Sequence, residues 1–113
     1  MNGYVLLHFV QQIELATNHS RWRRVSFSAI PEIEDVLVEC LYEEYARITG
    51  LPRHDYSITP DMHGYHAFVE IDPQTPGAII EMGFLAADRY ILVNRPDLLA
   101  RGIVAGLVCF LEQ

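Results

Sequence analysis

Positive charge is scarce in this chain. Eight Lys and Arg stand against fifteen Asp and Glu, a formal net charge of −7 over 113 residues. Sequence-independent nucleic-acid binding needs a cationic face to neutralise phosphates, so this composition argues against it, and an anionic membrane surface is repelled for the same reason. Long apolar runs are also lacking. The longest uncharged one, residues 102–111, is ten residues, against the roughly 20 that a bilayer-spanning helix requires. Cysteine is limited to Cys40 and Cys109; they are too far apart to form a metal-ligand spacing and read as buried thiols acting as small hydrophobes. Gly-x-Ser-x-Gly, His-Glu-x-x-His and a glycine-rich phosphate loop are all missing, which removes the common motifs of hydrolytic triads, zincins and nucleotide binding. Residues 1–10 are apolar but have no basic leading segment and no small-residue cleavage site, so they read as a strand and not as a signal peptide. No internal repeat or low-complexity tract is visible.

What is present suits one folded domain over residues 1–113. Half of the residues are apolar and 20% are charged, a balance that buries one core and excludes disorder. Gly3-Tyr4-Val5-Leu6-Leu7-His8-Phe9-Val10 is a continuous apolar run with β-branched and aromatic content, the pattern of a strand buried on both faces. Asn18-His19-Ser20 is turn chemistry. Arg21-Trp22-Arg23-Arg24 then gathers three of the eight basic residues beside the only tryptophan, either as a solvated loop with Trp22 on the core edge or as a contact patch for an anion and a flat ring.

Pro31–Thr49 is the clearest helix. Ile33, Val36, Leu37, Cys40, Leu41, Tyr45 and Ile48 recur at steps of three and four and form one stripe. Pro31 suits a first turn, Ser28 stands just upstream as a cap, and Glu32, Glu34 and Asp35 lie at the positive dipole end with Arg47 at the other. Gly50 and Pro52 end the helix. Glu39, Glu43 and Glu44 read as its solvated face. Residues 51–60 read as a loop and 62–71 as a short strand or irregular segment. Asp72-Pro73-Gln74-Thr75-Pro76 reads as a rigid connector. Gly77–Glu81 is an apolar strand that ends on a carboxylate. In open α/β sheets, chemistry gathers beyond the carboxyl ends of strands, so Glu81 is the candidate catalytic residue. A short helix follows over 86–93, and Asn94-Arg95-Pro96-Asp97 opens a last helix to about Leu111. Within it Gly102 and Gly106 share one side, which points to close packing of the helix backbone on the sheet. The order of elements implies an α/β fold, a partial mixed or parallel sheet flanked by helices.

Thr75-Pro76-Gly77-Ala78-Ile79-Ile80-Glu81-Met82-Gly83-Phe84-Leu85 resembles the closing motif of zinc-dependent N-acetylmuramoyl-L-alanine amidases, the type 3 amidase family of peptidoglycan hydrolases: a proline, an apolar strand, a glutamate, one residue, then Gly-Phe. Gly3-Tyr4-Val5-Leu6, the Tyr45-Ala46 helix with its Gly50-Leu51-Pro52 exit, and Pro96-Asp97-Leu98-Leu99 onward are similar too. The resemblance implies the C-terminal part of the amidase fold, with Glu81 as general base toward a Zn²⁺-activated water that cleaves the muramoyl-L-alanine amide. It also implies peptidoglycan as partner and an extracellular, periplasmic or cell-envelope location. The family's Gly-His-Gly-Gly segment, its glutamate ligand and its last zinc histidine have no counterpart among these residues. The chain therefore reads as an incomplete amidase-like domain without its zinc ligands, and self-association or pairing with an upstream half is expected of it.

Three histidines are the ones to weigh as substitute ligands. His63 and His66 are three apart and with Glu81 would make a two-histidine, one-carboxylate set, while His8 lies in the first strand; His19 and His54 fall in loops. The alternative function is a non-catalytic cell-wall-binding or regulatory module that keeps the fold without the metal, with Arg21 to Arg24 and Trp22 as contact surface.

Overall fold

Helix α1, Pro31–Thr49, begins and ends where its residue types dictate. Proline occupies the first turn, where no intrahelical N–H is needed, and Glu32 and Glu34 face the positive dipole end. The residue at the N-cap is Ile30, with no side-chain cap; its carbonyl accepts the N–H of Ile33 and of Glu34, each at 3.1 Å. Ser28, the expected cap, is outside the described residues. At the far end Gly50 takes φ 74° and donates its N–H to Ala46 O at 2.9 Å, a left-handed exit that a Cβ disfavours. The structure is a computed structural model, and the residues described are 5–10, 21–23, 29–52, 70–84 and 86–113, with backbone alone for 6–10 and 21–23.

The remaining elements are β1 (Leu6–Val10), β2 (Arg21–Arg23), β3 (Gly77–Glu81), α2 (Arg89–Asn94) and α3 (Pro96–Leu111). The molecule is organised around α1 against α3. On α1 the buried residues are Glu34, Leu37, Val38, Cys40, Leu41, Tyr42 and Tyr45. Val36 is more than one-third exposed, so the buried face is rotated from the expected stripe toward Glu34, Val38 and Tyr42. The reason is that α1 has two neighbours to cover, α3 and β3. One apolar cluster joins Leu37, Val38, Leu41 and Tyr42 to Ala78 and Phe110; a second joins Tyr45 to Ile80, Leu92, Leu99 and Ile103. Ala78 and Ile80 alternate along β3 and so share the face turned to the helices.

The helix pair is close and covalently joined. A Cβ built on Gly106 would stand 2.8 Å from Leu41 Cα, and one on Gly102 2.9 Å from Tyr45 Cδ2. Both glycines therefore admit the backbone of α1, and not the sheet to which the sequence pattern assigned them. Cys40 and Cys109 form a disulfide, Cα–Cα 5.6 Å, between the same two helices. This corrects the expectation of two buried free thiols: helix packing brings together positions that are 69 apart in sequence.

The expected fold class, a partial mixed or parallel sheet flanked by helices and resembling the C-terminal part of the amidase fold, is overturned. Of the residues described with their side chains, 62% are helical and one short strand is present. That strand, β3, has backbone ladders to β1 (parallel, Leu6↔Gly77 to Val10↔Glu81) and to β2 (antiparallel, Arg21↔Ile80 to Arg23↔Ala78). These five-, three- and five-residue stretches are too small to make a layer with helices on both faces. The apolar stripes of α1 and α3 instead satisfy each other, and β3 lies along their seam. The central position belongs to β3 in the order β1-β3-β2, so β1 stands at an end of the ladder and not inside it. Of the loop expected over 51–60 and the short strand or irregular segment expected over 62–71, residues 53–60 and 62–69 are outside the described residues; Leu51 and Pro52 have no regular structure, Glu70 is helical and Ile71 is in a bend. The short helix expected over 86–93 starts later, at Arg89.

Candidate functional site

Glu81 closes β3, opposite Val10 in the parallel register, and is 7% exposed. The apolar run before it is held at both ends. Upstream, Asp72 accepts the N–H of Gln74 on Oδ1 at 2.8 Å and that of Thr75 on its carbonyl at 2.9 Å, and Pro76 is fully buried. The first amide of the strand, Gly77 N–H, donates to Glu34 Oε2 at 2.9 Å. Glu34 is completely buried, so α1 places a carboxylate against the start of β3, where it accepts the first amide. An uncompensated buried amide there would cost about 1–3 kcal/mol.

Downstream of Glu81 three residues without regular structure, 82–84, lead toward a turn over 86–88, and two side chains from elsewhere hold this stretch. The Tyr45 hydroxyl on α1 donates to Met82 O at 2.6 Å. Asp88, at the mouth of α2, accepts the Phe84 N–H on Oδ2 at 2.7 Å and donates its own N–H to Phe84 O at 2.8 Å. Gly83 lies flat against this carboxylate; a Cβ there would be 3.1 Å from Asp88 Oδ2. Phe84 is buried. Burial first, and the Asp88 charge second, push the Tyr45 phenol far above its ordinary range. It stays a neutral donor at any physiological pH.

Packing and hydrogen bonding account for Gly83 and Phe84 of the Glu-x-Gly-Phe segment. Gly83 makes room for Asp88, Phe84 fills the core with its N–H and carbonyl both bonded to Asp88, and Glu81 is buried at the strand end just before them. The sequence pattern places Glu81 at a strand end and leaves out the groups that hold it there, Tyr45, Asp88 and, at the other end of β3, Glu34. For Glu34 a signal existed. It lies three and four residues before Leu37 and Val38 on the buried stripe, although an acid in a first turn reads equally well as a dipole partner.

The other sequence candidates do not gather around Glu81 among the described residues. His8 is in β1, paired in backbone with Ile79, and only its backbone is described; His19, His54, His63 and His66 are outside the described residues. Arg21, Trp22 and Arg23 form β2 in backbone, and Arg24 is outside. No group of three or more His, Cys, Asp or Glu suited to a metal ion occurs among the described residues. Cys40 and Cys109 are tied up in the disulfide. No described helix is long and apolar enough to cross a membrane. No family model, no curated protein and no solved structure matches the chain.

Proposed function

We propose that Glu81 is the proton-handling carboxylate of an amide hydrolase acting on peptidoglycan at the N-acetylmuramoyl-L-alanine bond. The observation that carries this reading is a carboxylate buried at the carboxyl end of β3 and set just before a turn that Tyr45 and Asp88 pin from two sides. A general base needs a fixed position, and a pinned turn provides it. Glu81 would take a proton from the attacking water as its oxygen adds to the amide carbonyl carbon. It would return that proton to the L-alanine nitrogen as the C–N bond breaks. In the resembling family zinc polarises the carbonyl.

A second reading has its own support. Gly83 and Phe84 are accounted for by packing and hydrogen bonding, which suits a non-catalytic cell-wall-binding or regulatory module that uses the same strand and turn as structure. One experiment separates the two. The chain is incubated with insoluble peptidoglycan and Zn²⁺, and both retention and newly formed α-amino groups are measured. Amine release that Glu81→Gln abolishes with an unchanged circular dichroism spectrum supports the hydrolase. Retention without release favours the binding module. Neither retention nor release overturns both.

A further inference from the structure

The outward face of α3 has a composition that the interior does not explain. Six large hydrophobic residues are exposed among the described residues, and three of them lie on this helix: Val104 at 57%, Val108 at 45% and Leu111 at 68% exposure. Their spacing of four and three residues sets them in one stripe on the side away from Gly102, Ile103, Gly106 and Phe110, which face the interior. Two charges bracket the stripe. Arg101 and Glu112 are eleven residues apart, three helical turns or about 16 Å, and so point the same way. Neither has an ion-pair partner among the described residues, in contrast to Arg95, which binds Asp97 at 3.0 Å.

This order, a cation, an apolar middle and an anion along one helix face, is self-complementary under a twofold axis perpendicular to the helix. We propose that α3 is the contact surface of a homodimer in which two copies of α3 pack antiparallel. The axis passes between Val104 and Val108, so these valines from both copies form one cluster. Arg101 of each copy then meets Glu112 of the other, and Leu111 covers the aliphatic stem of the opposing arginine. The disulfide and the two glycine contacts hold the inner side of α3 on α1, so the face is presented on a fixed support and association orders little that was loose. A single arginine on the stripe, on a chain of net charge −7, suits a second copy better than an anionic membrane. Two such faces bury on the order of 1,000 Å² together, the lower end of what a specific dimer needs. Dissociation in the micromolar range is therefore expected.

Sedimentation velocity of the full chain from low to several hundred micromolar tests this. The expected result is a reversible monomer–dimer equilibrium. Val104→Glu with Val108→Glu abolishes it at an unchanged circular dichroism spectrum, since both positions are solvent-facing in the monomer. Arg101→Glu and Glu112→Arg each weaken dimerisation by about tenfold, and the two together restore it to near the parent value. A monomer throughout the range, a dimer indifferent to the paired valine change, open-ended polymers, or no rescue by the charge swap overturns the proposal.

Discussion

Breaking the Cys40–Cys109 bond is the perturbation that measures how the helix pair is held. The bond closes a loop of 69 residues in sequence. In the chain-entropy treatment, a loop of that length restricts the unfolded chain by about 15 cal/mol/K, or about 4 kcal/mol at 25 °C. That is a large fraction of the ~5–15 kcal/mol that stabilises an ordinary domain. The native side of the balance changes little. Cys40 is buried and Cys109 partly buried, so two thiols or two alanines remain covered, and the glycine contacts of α3 with Leu41 and Tyr45 are untouched. Cys40→Ala with Cys109→Ala should therefore fold to the same helical content and unfold earlier. With a urea slope of about 1.3 kcal/mol/M, the midpoint drops by roughly 3 M. The assay is a urea melt followed by far-ultraviolet circular dichroism for the oxidised parent, the parent in excess reductant, and the double variant. The last two should coincide. Two titratable thiols in the native, non-reduced protein would refute the pairing itself. A midpoint unchanged within error would refute the loop-entropy account.

Two further outcomes follow from the helix seam and the turn. Gly106→Ala puts a methyl 2.8 Å from Leu41 Cα, a backbone atom that cannot rotate away; overpacking of this kind outweighs the ~1 kcal/mol gained in helix propensity and leaves a net loss of about 1–2 kcal/mol, seen as a melting temperature lower by roughly 5–10 °C. An equal or higher melting temperature would show that the helices are not in backbone contact. Tyr45 makes stability fall at high pH. Its phenol is raised in the folded state above the ordinary value of 10.0, so the unfolded chain gives up this proton first. The contribution is complete below pH 10 and is lost as pH rises from there toward the folded value. In Tyr45→Phe that component disappears from the alkaline stability curve, together with about 1 kcal/mol from the bond to Met82 O; a curve of unchanged shape would contradict it.

The elements that could be read from sequence are those specified by their own residues. Pro31, the acids of the first turn and Gly50 bracket α1; Pro96 opens α3; the β-branched run over Gly77–Glu81 is a strand. What could not be read is what depends on distant partners. Glu34 is buried because Gly77, 43 residues on, needs an acceptor. Tyr45 reaches Met82 across 37 residues. The cysteines meet only once the helices have packed. Gly102 and Gly106 announced a close approach without naming the neighbour, and assigning it to a sheet reinforced the wrong architecture. The same division applies to the site: Glu81 at a strand end is a local fact, whereas the pinning of the turn behind it is a tertiary one.

The bond between α1 and α3 also decides what counts as one molecule after damage. A single backbone cut anywhere between residues 41 and 108 falls inside the loop that Cys40 and Cys109 close. The two pieces stay joined, and a cut between Tyr45 and Gly102 leaves each piece with its own partner in the Leu41–Gly106 and Tyr45–Gly102 contacts. The chain thus behaves topologically as a ring with a tail on either side. One protease event opens the ring without releasing a fragment, and only a second cut, or a reductant, separates the pieces.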